Sequence, residues 1–248
     1  TPPNTAPPPR QLPPTLPRGG GGTIPATREV PLVSQRPGRN LGSRRARALK
    51  HARRTRWHTT GLTMGSANVR GATEEKVEIL MGRLRWDVLC MQETWMDPGA
   101  HSLACPGYQV REQRRSTASK GGIAVLVREG LHIERSAGNE YAQVVQIKLA
   151  DSTRLYICNV YLPPAYNLQQ RGIVEQDARE CVEDLLATVP PGAPIFVAGD
   201  WNTRTGCRAP QVGADTPDRC SADSRVCNRA PWLLELFTVH GLYLLNGM

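Results

Sequence analysis

An α+β layered sandwich is the fold class this sequence predicts, and three observations predict it. From residue 62 onward, short β-rich runs recur and each is broken by turn residues. Few stretches carry apolar residues at helical spacing. Strands therefore outnumber the helices between them, which argues against a doubly wound parallel sheet.

Residues 1–60 stand apart from this pattern. They hold 11 of the 21 prolines and no apolar run longer than two residues. Residues 1–42 cannot bury enough apolar surface to offset the entropy of ordering and are expected to be disordered. The glycines at 19–22 form no phosphate loop, because no strand precedes them and no Gly-Lys-Ser/Thr follows. Residues 43–58 form a basic block that reads equally as a nuclear-import signal or nucleic-acid arm and as a solvated leader. The first residue is Thr1, which fits a fragment boundary, and Met64 is a candidate internal start. The expected organisation is a tail over 1–60 and one domain over 62–248.

Charge follows the same division. Of 31 Lys+Arg and 22 Asp+Glu, residues 1–60 hold 12 and 1, leaving 19 and 21 for the rest. The net +9 thus belongs to the tail, and a basic total is weak evidence that the folded part binds nucleic acid. No apolar run approaches the roughly 20 residues of a membrane span, so no membrane partner is expected. Seven cysteines at irregular spacing fit a reducing, intracellular compartment. The gaps between Cys207, Cys220 and Cys227 are too wide for the usual zinc spacing.

The elements follow in order. L-T-M-G-S-A-N-V-R (62–70) predicts a strand leading to a turn at Gly71, and Thr73 ahead of Glu74 and Glu75 predicts an N-capped amphipathic helix. D-V-L-C-M-Q-E-T (87–94) predicts a buried strand with a polar end. Short strands are expected around 107–112, 121–128, 131–135, 142–149 and 153–162. Ile173, Val174, Ala178, Cys181, Val182, Leu185 and Leu186 mark a helical stripe across 170–188. P-I-F-V-A-G-D-W-N (194–202) predicts a strand, P-W-L-L-E-L-F-T-V-H (231–240) a helix, and G-L-Y-L-L-N-G (241–247) a last strand.

Three strand-like runs end in polar residues: Asn68, then Gln92 and Glu93, then Asp200 and Asn202. A fourth carries Asn159 and Tyr161 just before two prolines. Alternation along an extended chain puts Asp200 and Asn202 on one face. If these ends converge, they form a hard-oxygen site suited to Mg²⁺ or Mn²⁺ and not to zinc. Glu93, supported by Asn68, is the candidate metal ligand. Asp200 is the candidate water-activating base, Asn202 and Asn68 hold the scissile phosphate or the water shell of the metal, and Tyr161 is the candidate phenolic donor. Asn159 and Arg229 are candidate substrate contacts. Each fragment alone reads more often as an Asx turn, a solvated strand end or a packed tyrosine than as a catalytic group; their order together is the stronger signal.

N-V-R-G (68–71), M-Q-E-T-W (91–95), G-G-I-A-V-L-V (121–127), N-V-Y-L-P-P (159–164) and A-G-D-W-N-T (198–203) resemble the endonuclease/exonuclease/phosphatase superfamily. R-C-S-A-D-S-R-V-C-N-R-A-P-W-L-L-E-L (219–236) and H-G-L-Y-L-L-N-G (240–247) extend the similarity to the apurinic-like endonuclease domain of non-LTR, LINE-type retrotransposons. The resemblance covers 62–248. It implies a four-layered α/β sandwich, two packed mixed sheets flanked by helices, and a nuclear enzyme that uses Mg²⁺ or Mn²⁺ to nick DNA. The freed 3′ hydroxyl then primes a reverse transcriptase in the same polyprotein. RNA is a further expected partner for 43–58. No Thr-His pair of the sphingomyelinase and deadenylase branches stands near Tyr161.

Two departures accompany the resemblance. Arg70 stands where apurinic repair nucleases often carry Asp, a position relaxed in the retroelement branch. The family closes on a Ser-x-x-Asp-His-like strand end, and this sequence reaches L-L-N-G-M before it; His240, at a helix end, is no substitute. The expectation is that the closing strand is missing and that 62–248 alone is inactive or weak. The alternatives are another phosphatase or phosphodiesterase of the superfamily, or a non-catalytic nucleic-acid-binding remnant.

Overall fold

The computed structural model describes residues 61–114, 120–213 and 219–245. The expected disordered tail, its basic block and residues 246–248 lie outside the described residues.

Two four-stranded mixed sheets form the centre. In the first, β1 (Met64–Asn68) runs parallel to β2 (Val88–Gln92). β2 pairs antiparallel with β4 (Ile123–Arg128), which pairs antiparallel with β3 (Tyr108–Gln113). In the second, β5 (His132–Gly138), β6 (Ala142–Lys148) and β7 (Arg154–Tyr161) form an antiparallel meander. β8 (Ile195–Asp200) joins parallel to β7. Each sheet therefore holds one parallel pair, and a parallel pair needs a crossover. α1 (Glu74–Leu84) supplies the crossover from β1 to β2. α2 (Ala165–Gln170) and α3 (Glu175–Ala187) supply it from β7 to β8, and α4 (Ala230–Val239) follows.

Alternation sorts the side chains into three apolar cores. Leu89 and Met91 of β2 pack with Ala124, Leu126 and α1 residues Val77 and Met81. Val88 and Cys90 turn the other way and meet Val145, Ile147 and Ile157 between the sheets. Cys158 and Val160 face Ala178, Val182, Leu186, Leu233 and Phe237 of α3 and α4. The result is a helix–sheet–sheet–helix stack, as the sequence predicts. No helix among the described residues is long and apolar enough to cross a membrane.

The expected cap of α1 is present: Thr73 accepts from the Lys76 backbone N–H at 3.2 Å, with Glu74 and Glu75 at the positive end of the helix dipole. Two expected elements differ. The stripe across 170–188 is two helices, because the chain turns at Arg171 and Gly172 (φ 67°) before α3 begins. Residues 242–245 form no strand: their burial alternates as a strand's does, with Leu242 inward and Tyr243 outward, but among the described residues no neighbour pairs with them. His240 closes α4 as expected, its N–H donating to the Leu236 carbonyl at 3.1 Å.

Candidate active site

The carboxyl-terminal ends of the two parallel pairs meet, the position at which α/β sheets commonly bind ligands. Asn68 ends β1 and Asp200 ends β8. The Asn68 side-chain nitrogen donates to Glu93 Oε1 and to Asp200 Oδ2, both at 2.7 Å. Those two carboxylate oxygens are therefore no more than twice 2.7 Å apart. Two carboxylates so close repel when both are charged. One amide with two N–H groups offsets part of that repulsion, and a cation would offset the rest.

Glu93 reaches this point through an irregular backbone. Gln92 faces the second sheet, so strict alternation would send Glu93 toward α1. Instead Glu93 adopts φ 55° and Trp95 φ 52°, left-handed conformations that cost a non-glycine residue about 1 kcal/mol or more each. Backbone bonds over-determine the turn: Gly71 N–H donates to the Glu93 carbonyl at 2.7 Å, Ala72 N–H to Thr94 at 2.8 Å, and Trp95 N–H to Gly121 at 2.9 Å. The Lys76 ammonium gathers the carbonyls of Val69, Arg70 and Gly71 at 3.0–3.2 Å and holds the facing turn.

Asp200 and Asn202 meet through the Asn202 backbone, not by alternation of side chains. The strand stops at Asp200, and Asn202 adopts φ 46°. Its backbone N–H donates to Asp200 Oδ1 at 3.0 Å, and its side chain donates to the Leu162 carbonyl at 3.1 Å. An Asx turn thus fixes the carboxylate while Trp201, between them, anchors against Trp232 and Phe237 with ring centroids 6.2 and 5.4 Å away. Tyr161 is the register partner of Asp200 on β7 and is buried.

Two expected substrate contacts are buried and held by internal hydrogen bonds. Asn159 is fully buried: its oxygen accepts from Gln92 Nε2 at 2.6 Å, and its nitrogen donates to the carbonyls of Met91 and Ala124 at 2.9 and 3.0 Å. It clamps the two sheets directly beneath the site. Arg229 is buried as well. Its guanidinium donates to Glu175 Oε1 at 2.9 Å and to the carbonyls of Trp201 and Pro163 at 2.8 and 3.0 Å. With its donors turned inward, it ties α3 to the loops that follow β7 and β8.

Gln92, expected as a polar strand end with no assigned role, is a structural link. It is 1% exposed and joins Ser66, at 3.0 Å, to Asn159. Its signal was present: a polar residue closing an apolar run opposite another run containing a lone Asn.

Residues 65–241 match the Endonuclease/Exonuclease/phosphatase family. The chain belongs to this family. Among solved structures, the family member described here is similar to an AP endonuclease from Archaeoglobus fulgidus, at 18% identity over 58% of this chain and 59% of that one, with a TM-score of 0.44. It is similar to the Xenopus laevis APE2 catalytic domain at 17% identity over 68% of this chain and 66% of that one, TM-score 0.42. A humanized D. rerio TDP2 aligns at 17% identity over 58% and 67%, TM-score 0.41. The first of these alignments spans less than two thirds of the partner's own length. No curated protein matches the chain.

The donor set fits a hard divalent cation. Glu93 and Asp200 offer carboxylate oxygens and Asn68 an amide oxygen. Among the described residues no group of three or more His, Cys, Asp and Glu could hold a metal by itself. Mg²⁺ asks for less, since it keeps several waters and is usually held by one or two carboxylates plus substrate phosphate. The cysteines are free, and the described ones form no metal-holding group.

Proposed function

We propose that this site hydrolyses phosphodiester bonds in DNA with Mg²⁺ or Mn²⁺, as the endonuclease of a non-LTR retrotransposon. The observation that carries the reading is the single Asn68 amide joining Glu93 to Asp200 where the two sheets meet. A bound divalent ion would supply charge neutralisation at a phosphate oxygen, with Glu93 and Asn68 as its protein contacts. Asp200, held in one orientation by Asn202 and Asn68, orients and deprotonates an attacking water. Tyr161, at the same level on β7, donates toward the phosphate or leaving group.

The order of motifs along 62–248 supports the retrotransposon reading. On that reading the enzyme acts in the nucleus, the nick primes reverse transcription by a partner domain, and 43–58 contacts RNA or DNA phosphates.

Nicking of supercoiled plasmid by the purified chain tests the activity, with phosphoinositides as competing substrate. The expected result is nicking that needs Mg²⁺ or Mn²⁺ and disappears in Asp200→Asn. Turnover of the phosphoinositide with plasmid untouched favours a lipid or small-molecule phosphatase instead. Salt-sensitive DNA binding with no turnover of either favours a non-catalytic remnant.

A further inference from the structure

We propose that Trp95 is a positioning residue for Glu93, its indole N–H fixing the carboxylate so that it faces the space between Asn68 and Asp200. This rests on the metal-site reading above. Glu93 is held from two sides. Asn68 donates to Oε1 at 2.7 Å and Trp95 Nε1 donates to Oε2 at 3.2 Å. A glutamate side chain has three rotatable bonds, so a carboxylate at a strand end is otherwise free to sample orientations that miss a bound ion.

The indole is itself constrained. Its backbone adopts φ 52° and donates to Gly121, which turns the ring back over the β1–α1 turn. There it rests on Gly71, where a Cβ would stand 3.1 Å from the ring. The Lys120 ammonium lies 5.9 Å from the ring centroid. Trp95 remains 37% exposed, so burial against the turn covers only part of the ring. The contact with Gly71 places the ring, and the indole N–H bond to Glu93 gives the position its purpose. Partners that orient a metal ligand through its second atom typically change metal affinity 10–100-fold when removed.

Trp95→Phe keeps a ring on Gly71 and deletes only the N–H donor. The test uses the full chain labelled with ¹⁵N-tryptophan. Mg²⁺ binding is followed by calorimetry, and the five indole signals by ¹H–¹⁵N spectra. The signal missing from Trp95→Phe is that of Trp95. The expected result is that this signal moves saturably with Mg²⁺ in the wild type. Trp95→Phe should raise the Mg²⁺ dissociation constant about 10-fold with an unchanged melting temperature. Lys120→Ala should leave the affinity as it was. Wild-type Mg²⁺ binding with a stationary Trp95 signal, or with undiminished affinity in Trp95→Phe, overturns the positioning role alone. No Mg²⁺ binding by the wild type overturns the metal-site reading and this role with it.

Discussion

Asn68 and Asp200 are 132 residues apart in sequence, yet the amide of the first donates to the carboxylate of the second at 2.7 Å. They end β1 and β8, one strand from each sheet. Because the same amide also holds Glu93, Asn68→Ala leaves two neighbouring carboxylates without their shared donor. Metal affinity is expected to fall about 10-fold, and nicking to fall at least as far. Mn²⁺ calorimetry and plasmid nicking check this; unchanged values in both contradict a bridging role.

Asn159 carries the join between the sheets. Asn159→Ala takes the side-chain donor from the buried carbonyls of Met91 and Ala124 and leaves Gln92 Nε2 with Ser66 and the Cys90 carbonyl alone. Each unsatisfied buried group costs about 1–3 kcal/mol. A loss of roughly 3 kcal/mol in urea unfolding is expected, whereas a substrate-contact role would leave stability intact and change substrate affinity.

Gly199 sets the closeness of β7 and β8. Its φ is 149°, and a Cβ there would stand 2.0 Å from the Val160 carbonyl oxygen. Gly199→Ala must push apart the strands that carry Tyr161 and Asp200. A destabilisation on the order of 3 kcal/mol is expected, as for strained backbone and overpacked sites. Thermal melts read the stability loss, and any soluble protein should also nick less.

Acid should loosen the loops behind the site through Glu175. Burial pushes its pKa up, but the hydrogen bonds and charges of Arg229 and Arg179 outweigh burial and hold it below the ordinary 4.5. A carboxylate depressed in the folded state contributes stability above its unfolded value, and loses it as pH falls through the folded value. The melting-temperature gap between wild type and Glu175→Gln should therefore be open at neutral pH and close below about pH 4. A gap that is constant with pH contradicts this account.

The strands were legible because apolar runs such as V-L-C-M and I-A-V-L-V bury both faces and end at turn residues. The meeting of Asn68, Glu93 and Asp200 was legible because all three sit at strand ends in a family-like order. What failed had local causes. Left-handed backbone at Glu93 and Asn202 leaves no mark in the one-letter sequence, so the route by which Asp200 and Asn202 meet was misread. Asn159 and Arg229 have the chemistry of phosphate contacts, and nothing in their spacing told that burial had already used their donors. The apolar spacing across 170–188 runs straight through a break that only Gly172 hints at. Leu242, Tyr243 and Leu244 alternate like a strand, but a strand also needs a neighbour.

The most direct measurement is the anomalous scattering of Mn²⁺ in crystals of this protein. The account predicts a peak in contact with Glu93, beside Asn68 and Asp200, that vanishes in Glu93→Gln. A peak elsewhere, or one that survives Glu93→Gln, would contradict the assignment of this site as the metal centre.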